Sequence, residues 1–468
     1  MKMNDLATPG EERSLYEVRQ AIYPRAVRGW FAAWRWAAVW ATQLVFYGGA
    51  WLTWNDRQAV LFDIVHRKFY IFGLVFWPQD VIYLSVLLIL AALSLFLFTA
   101  VAGRLWCGYA CPQTVYTEIF LWIERKIEGD RNARMRLDQE KANAKKIGLK
   151  TLKHGVWIAL SLWTGFTFVG YVTPIRELWG EVMTLFAWVV GGPSPTLGPW
   201  ETFWILFYGF ATYGNAGWMR EQVCKYMCPY ARFQSAMFDK DTLIITYDQK
   251  RGEPRGKAKS ASPSNPLGDC VDCGICVQVC PTGIDIRDGL QYECIGCAAC
   301  IDGCNQVMEK LGRPQQLIRY STTHAMEGTP TRVLRPRVLV YSTILLAILA
   351  TAVVSLYLRV PLKVNVIRDR AAISREVGDD IENVYRLQIM NTTEASRVYE
   401  IRVGGLEDIH IEGEHRVEVD ATGSRIVPLR VRVERDEVKP GTHPIEFSVS
   451  AVGVEGERVR EKSVFIVR

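Results

Sequence analysis

Twelve cysteines carry the chemistry available to this sequence, and their spacing sorts them into two kinds. Eight stand in two equal runs, Cys270-x2-Cys273-x2-Cys276-x3-Cys280 and Cys294-x2-Cys297-x2-Cys300-x3-Cys304. Three thiolates at i, i+3 and i+6 on a tight turn wrap three corners of a [4Fe–4S] cubane, and the fourth corner comes from farther along the chain. With two such runs, the last cysteine of each serves the other cluster. One cluster is then expected on Cys270, Cys273, Cys276 and Cys304, the other on Cys294, Cys297, Cys300 and Cys280. Gly274 and Gly296 permit close backbone approach and let N–H groups point at sulfur. The first run closes on Cys280-Pro281 and the second on Cys304-Asn305, so the chain is less fixed after Cys304. Zinc sites of CxxC type are the competing reading; two equal runs with Pro281 after Cys280 favour clusters.

The other four cysteines form two pairs, Cys107-x3-Cys111-Pro112 and Cys224-x3-Cys228-Pro229. Arg104–Pro112 and Glu221–Pro229 align as a diverged internal repeat. Cysteines four apart share a helix face, where two thiolates can bind a soft metal or cycle to a disulfide. Pro112 and Pro229 would each start the next helix at its first position. The pairs could converge on one four-thiolate site or hold separate ions, and soft thiolates favour Cu(I), zinc or iron–sulfur clusters. Met227 is a further soft ligand or, more commonly for such a residue, a packed core methionine. His410 and His415 lack a third ligand and read as surface residues.

The elements that must position these thiols are mostly apolar helices. Hydrophobic residues make up 49% of 468, unevenly spread. Five stretches have the length and apolarity of membrane spans: about 36–54, 81–102, 155–173, 202–219 and 338–358. Gly209, Gly214, Asn215 and Gly217 interrupt the fourth. Phe69–Trp77 and Val182–Val190 are too short to span and are expected at the interface. Met1–Tyr16 is polar and acidic and has no signal-peptide core, so the first span is expected to remain as an anchor. Lysine and arginine crowd Arg104–Lys153, with eleven, and Met219–Arg337. Asn55–Asp80 and Pro174–Trp200 hold few. Basic loops face the cytoplasm, which puts the N-terminus and Cys270–Cys304 inside and Arg359–Arg468 outside. This implies a membrane protein with an exported tail, and the net charge of +6 is a topology signal rather than a mark of nucleic-acid binding. All the cysteines fall on the cytoplasmic side, where thiols stay reduced and free to ligate.

The expected architecture is a multi-domain membrane protein. Residues 1–220 form a membrane domain with four helices and a basic loop near Glu118–Lys153, in which Phe120, Leu121 and Ile123 beside Glu124, Arg125 and Lys126 suit an amphipathic interfacial helix. Residues 221–337 form a cytoplasmic α+β module of two-cluster bacterial ferredoxin type, with a flexible linker at Lys250–Pro266. A fifth span at 338–358 completes a five-helix bundle. Residues 359–468 alternate apolar and polar positions: Tyr385, Leu387, Ile389; Tyr399, Ile401, Val403; Val427, Leu429, Val431, Val433; Ile445, Phe447, Val449. With turns at Gly404-Gly405 and Pro440-Gly441, this argues for an all-β, immunoglobulin-like sandwich that serves structure or partner docking. Six histidines, of which only His154 lies near a span, disfavour bis-histidine haem. No Walker A or dinucleotide glycine motif appears, so ATP-driven transport and direct NADH oxidation lack support.

In order and content the chain resembles the cytochrome c oxidase accessory proteins called CcoG, FixG or RdxA. The likeness runs over nearly the whole length: five spans, two CxxxCP pairs, two ferredoxin runs and an exported sandwich. It implies a membrane polyferredoxin with two [4Fe–4S] clusters that reduces Cu(II) to Cu(I) on the cytoplasmic side during assembly of cbb3-type oxidase, as a cupric reductase. By position, Cys107, Cys111, Cys224 and Cys228 would handle copper. Copper-handling proteins, oxidase assembly factors and an unnamed electron donor are the implied partners; a homo-oligomer is left open. Two other readings remain: a quinol dehydrogenase resembling NapH, which shares membrane CxxxCP pairs and a ferredoxin module, and a non-enzymatic assembly scaffold.

Overall fold

The computed structural model describes residues 21–256, 267–369, 374–454 and 456–467, apart from the side chain of Ser235. The readings of 1–16 and of the 257–266 part of the linker lie outside these residues. Lys250 itself sits in a short helix, Gln249–Gly252. The chain divides into two compact units: Met1–Gln43, Phe96–Thr164 and Phe207–Val338 in one, Leu44–Leu95, Gly165–Leu206 and Leu339–Arg468 in the other.

Two of the five expected spans, Pro78–Ala102 and Pro336–Tyr357, are helices long and apolar enough to cross a membrane. The other three differ for legible reasons. The first begins earlier, as Trp30–Gln43, carries Arg35, and widens into a π-turn at Leu44–Gly48. The third, Ala144–Val169, opens on Lys145, Lys146, Lys150 and Lys153. The fourth runs Pro199–Thr212 and then becomes π-helical over Tyr213–Met219. There Gly217 lets the ring of Trp157 approach: a Cβ at Gly217 would sit 3.2 Å from it. Phe69–Trp77 belongs largely to an antiparallel three-stranded sheet, Val60–Asp63, Lys68–Ile71 and Leu74–Phe76, which buries Leu61, Tyr70 and Val75. Val182–Val190 is largely the second half of helix Ile175–Val189.

In the first unit, strands Ile244–Tyr247 and Ile318–Ser321 pair antiparallel and close the chain on either side of the cysteine runs. Between them lie helices Ile275–Gln278 and Ala299–Lys310. Ile245, Tyr247, Ile286, Ile301, Met308 and Leu317 form the core under the cysteines.

The tail is a sandwich of two antiparallel sheets. One orders His410–Glu412, Ser424–Glu434, Asp380–Asn391 and Leu362–Arg368, with Arg375–Val377 also on Asp380–Asn391. The other orders Arg416–Val419, Arg397–Gly404, Gly441–Ala451 and Arg458–Val467. The alternation read from the sequence is the alternation of burial: Tyr385, Leu387, Ile389, Tyr399, Ile401, Val427, Leu429, Val431, Val433, Ile445, Phe447 and Val449 all face one core. A period of two puts one face of each strand inward. Gly405, at φ +122°, takes the turn that ends its strand.

Candidate iron–sulfur and thiolate centre

Each ferredoxin run reverses direction through two left-handed residues. In the first these are Asp272 and Gly274, in the second Gly296 and Ala298. Gly274 and Ala298 stand immediately before helices Ile275–Gln278 and Ala299–Lys310, which carry Cys276, and Cys300 with Cys304. Only one of the two turn residues in each run is glycine. At Gly296 the reason is contact: a Cβ there would lie 2.9 Å from the carbonyl oxygen of Arg104.

The fold brings the eight thiols into two sets. The Cys304 thiol is pushed up to about 12 by burial and then by its neighbours Cys276, Cys273 and Cys270. That of Cys300 is raised by burial and then by Cys297, Cys294, Cys280 and Cys276. Burial likewise pushes Cys294 up to about 12 and Cys276 to about 11. Cys273 is exposed, whereas Cys270, Cys276, Cys297 and Cys304 are buried. A void walled by Cys280, Cys294, Cys297 and Cys300, with Cys276 at its edge, lies within the second set. Among the described residues no three His, Cys, Asp or Glu side chains close on a single metal ion. A cubane asks for something different, one thiolate per iron spread around a larger body, and two sets of clustered soft donors fit it.

The four remaining cysteines also come together. Burial raises the Cys224 thiol to about 12, helped by Cys111, Cys107 and Cys228. Cys107 is raised to about 11 by burial and then Cys111, with Cys228 also contributing. The Cys107 thiol also donates to Oε1 of the buried Gln234 at 3.4 Å. The pairs do not lie on continuous helices, as their spacing suggests. Cys107 is in helix Leu105–Tyr109, while Cys111 has an extended backbone and precedes helix Pro112–Glu128. Cys224 is in the π-turn Val223–Met227, and Cys228 precedes helix Pro229–Met237. Pro112 and Pro229 occupy the first helical turns, as their position predicts. The break turns each second cysteine out of its helix. Met227 is exposed rather than packed in a core, and His410 and His415 are exposed.

Two arginines that the motif reading passes over join the centres. Arg104 is buried, and its guanidinium donates to the carbonyls of Tyr292 and Ala231 and, at 3.4 Å, of Cys294. One side chain thus clasps the first CxxxC segment, the second ferredoxin run and the helix after Cys228. Burial lowers its basicity, while the thiols of Cys107, Cys294, Cys224 and Cys228 oppose that. Arg35, also buried, donates to the carbonyl of Cys297 at 2.5 Å. Its signal in the sequence is being the one charge in Trp30–Gln43. Tyr320 donates to the Gly296 carbonyl at 2.5 Å. A crevice beside this junction is lined in part by Arg35, Glu118, Glu221, Cys224 and Cys297.

Comparison with known proteins agrees with these elements. Residues 219–323 match a family described as a 4Fe-4S dicluster domain, and residues 84–129, which include Cys107 and Cys111, match a 4Fe-4S binding domain. Residues 352–468 match the IG-like fold at the C-terminus of FixG. The chain is 38% identical to the nitrogen fixation protein FixG of Rhizobium meliloti, over 90% of this chain and 87% of that one. It is 39% identical to protein RdxA of Cereibacter sphaeroides, over 87% and 89%. With the ferredoxin-type protein NapH of Haemophilus influenzae it shares 22% identity over 48% of this chain and 68% of that one. The chain therefore belongs to the FixG family and is an iron–sulfur electron-transfer protein.

Proposed function

We propose that this protein reduces Cu(II) to Cu(I) at Cys107, Cys111, Cys224 and Cys228, as a membrane-bound step in assembly of a cbb3-type oxidase. The observation that carries the reading is the convergence of those four thiols, with Cys107 and Cys224 packed beside Cys297. In this reading Cys270, Cys273, Cys276 and Cys304 hold one [4Fe–4S] cluster and Cys294, Cys297, Cys300 and Cys280 the other. The clusters, when bound, supply one-electron storage; an external one-electron reductant refills them. The chain's own part is selection. Paired thiolates are soft donors that hold Cu(I) better than Cu(II), so each ion that gains one electron is stabilised where it stands. The thiols are half-buried, and loading a cation displaces protons from the thiols that ligate it.

Pro78–Ala102 and Pro336–Tyr357 turn Leu84, Leu87, Leu88, Leu346, Val353 and Val354 outward. Such surfaces need an apolar surrounding. The reading therefore places the chain in the bacterial inner membrane with five spans, its cysteines on the cytoplasmic side and its sandwich in the periplasm, in contact with copper-handling and oxidase-assembly proteins.

The test is anaerobic. The purified protein is reduced, freed of excess reductant, and given Cu(II) with a Cu(I)-specific chelator. Cu(I) should appear in step with reoxidation of the visible cluster absorbance. The double variant Cys107→Ser/Cys224→Ser should lose Cu(I) formation and keep the clusters' iron. Unchanged Cu(I) formation in that variant removes the thiolate assignment. Likeness to NapH sustains a second reading, in which clusters inert to Cu(II) reoxidise with a quinone analogue. Silence toward both favours a scaffold.

A further inference from the structure

The two cysteine sets have unlike electrostatic surroundings. Beside the Cys294, Cys297, Cys300 and Cys280 set stand two buried guanidiniums. Arg35 donates to the carbonyl of Cys297 at 2.5 Å, and Arg104 to those of Tyr292 and Cys294. Among the described residues neither forms a salt bridge, and both spend donors on carbonyls; the carboxylates of Glu118 and Asp302 act on Arg35 from beyond ion-pair distance. Beside the Cys270, Cys273, Cys276 and Cys304 set, the arginine whose charge bears on Cys276 is Arg287. It is neutralised by Asp272 at 2.6 Å and by Asp285 at 2.6 Å. That set also reaches solvent, through the exposed Cys273.

A cluster with four thiolate ligands becomes more negative when reduced. Fixed positive charge at short range in a dry site therefore favours its reduced form and raises its potential. Burial alone acts the other way, so the two guanidiniums must outweigh it to set the order. We propose that Arg35 and Arg104 are potential-setting residues for the cluster on Cys294, Cys297, Cys300 and Cys280, making it the higher-potential member of the pair. One electron shared between the sets then rests on the set that touches the CxxxC site. The buried Arg residues hold it there, next to Gly108 and Cys107, while the exposed set around Cys273 faces incoming reductant. The exchange is a one-electron transfer between the two sets, with no proton and no bond broken. The inference rests on the two-cluster reading above.

The test is a potentiometric titration of the full-length protein followed by electron paramagnetic resonance. The component lost in Cys300→Ala identifies the cluster next to Arg35. In the parent protein that component should have the higher midpoint. In Arg35→Gln it should shift to lower potential with the other component unmoved, and Arg35→Lys, which keeps the charge, should restore it. Arg104→Gln should shift the same component where the variant folds; the Arg35 series stands without it. Equal midpoints, or a shift confined to the Cys273 component, or an identical fall in Arg35→Lys, overturns the proposal. A parent protein with only one iron–sulfur component instead overturns the two-cluster reading, and the two failures are separable.

Discussion

Gly108 lies against Cys297 so closely that a Cβ on Gly108 would sit 2.8 Å from the Cα of Cys297 and 2.8 Å from the carbonyl of Gly296. The contact joins the residue after Cys107 to the backbone at Gly296 and Cys297 of the ferredoxin module. Both contact atoms on the module side are main chain, so neither can swing aside. Gly108→Val should push the module away from the thiolate site. The clusters should remain by iron content and absorbance, while reoxidation of the reduced clusters by Cu(II) slows with the added distance. Reoxidation at the parent rate would show that the contact does not set the distance.

A second joint is the Asp302 carboxylate, which accepts from the backbone N–H of Ala32 at 2.7 Å and of Phe31 at 3.3 Å. Helix Trp30–Gln43 has no Ser, Thr, Asn or Asp of its own at its start; the cap comes from helix Ala299–Lys310. Asp302→Asn keeps the shape and removes the charge that complements the helix N-terminus. It should cost about 1–2 kcal/mol. Amide exchange at Phe31 and Ala32 should rise, and the protein's thermal midpoint in detergent should fall. Unaltered exchange would mean the carboxylate does not hold the helix.

The cysteine runs and the sandwich were legible because their rules are local. Spacing within ten residues states which thiols share a turn, and a period of two states which face of a strand is buried. The pieces that were not legible depend on partners far along the chain. Asp302 caps a helix some 270 residues earlier, and Arg35, which lies just before an apolar run, gains meaning only from the Cys297 carbonyl. The Cys107 and Cys111 spacing suggests one helix face, yet Pro112 ends the first helix before Cys111, a local signal pointing to a break as much as to a start. Phe69–Trp77 is apolar at almost every position, which hides the strand pairing that buries Tyr70 and Val75.

In the sandwich, Tyr385 and Phe447 meet edge to face across the two sheets, with ring centroids 5.1 Å apart. Both are fully buried. Phe447→Ala should destabilise the sandwich by about 3–5 kcal/mol through lost contacts and the cavity left behind. Since every cysteine lies outside this tail, iron content and cluster absorbance should not change. Protease should cut the tail faster while the remainder keeps its colour. Loss of the clusters in this variant would show that the tail is needed to form them.

Glu124 gathers three cations in the first unit: Arg134 at 2.7 Å, Arg220 at 3.1 Å and Lys153 at 3.3 Å. The carboxylate is 6% exposed, although its neighbours in sequence suggest a polar helix face. Burial by itself would raise its pKa, but Arg220, Arg134 and Lys153 outweigh it and hold the carboxyl below the ordinary range. The sign of the pH effect follows. A carboxyl whose folded pKa is depressed adds stability above its unfolded pKa and loses it as pH falls through the folded value. Glu124→Gln leaves Arg134 and Arg220 without their counter-charge, while Lys153 keeps Glu128 at 2.9 Å, and should cost about 3–5 kcal/mol at neutral pH. On acidification through and below the ordinary carboxylate range the parent protein should lose this part of its stability, while the variant, which has nothing there to protonate, should change less. The two curves of thermal midpoint against pH therefore converge at low pH. Curves that stay parallel would show that Glu124 is not the group whose protonation weakens this unit.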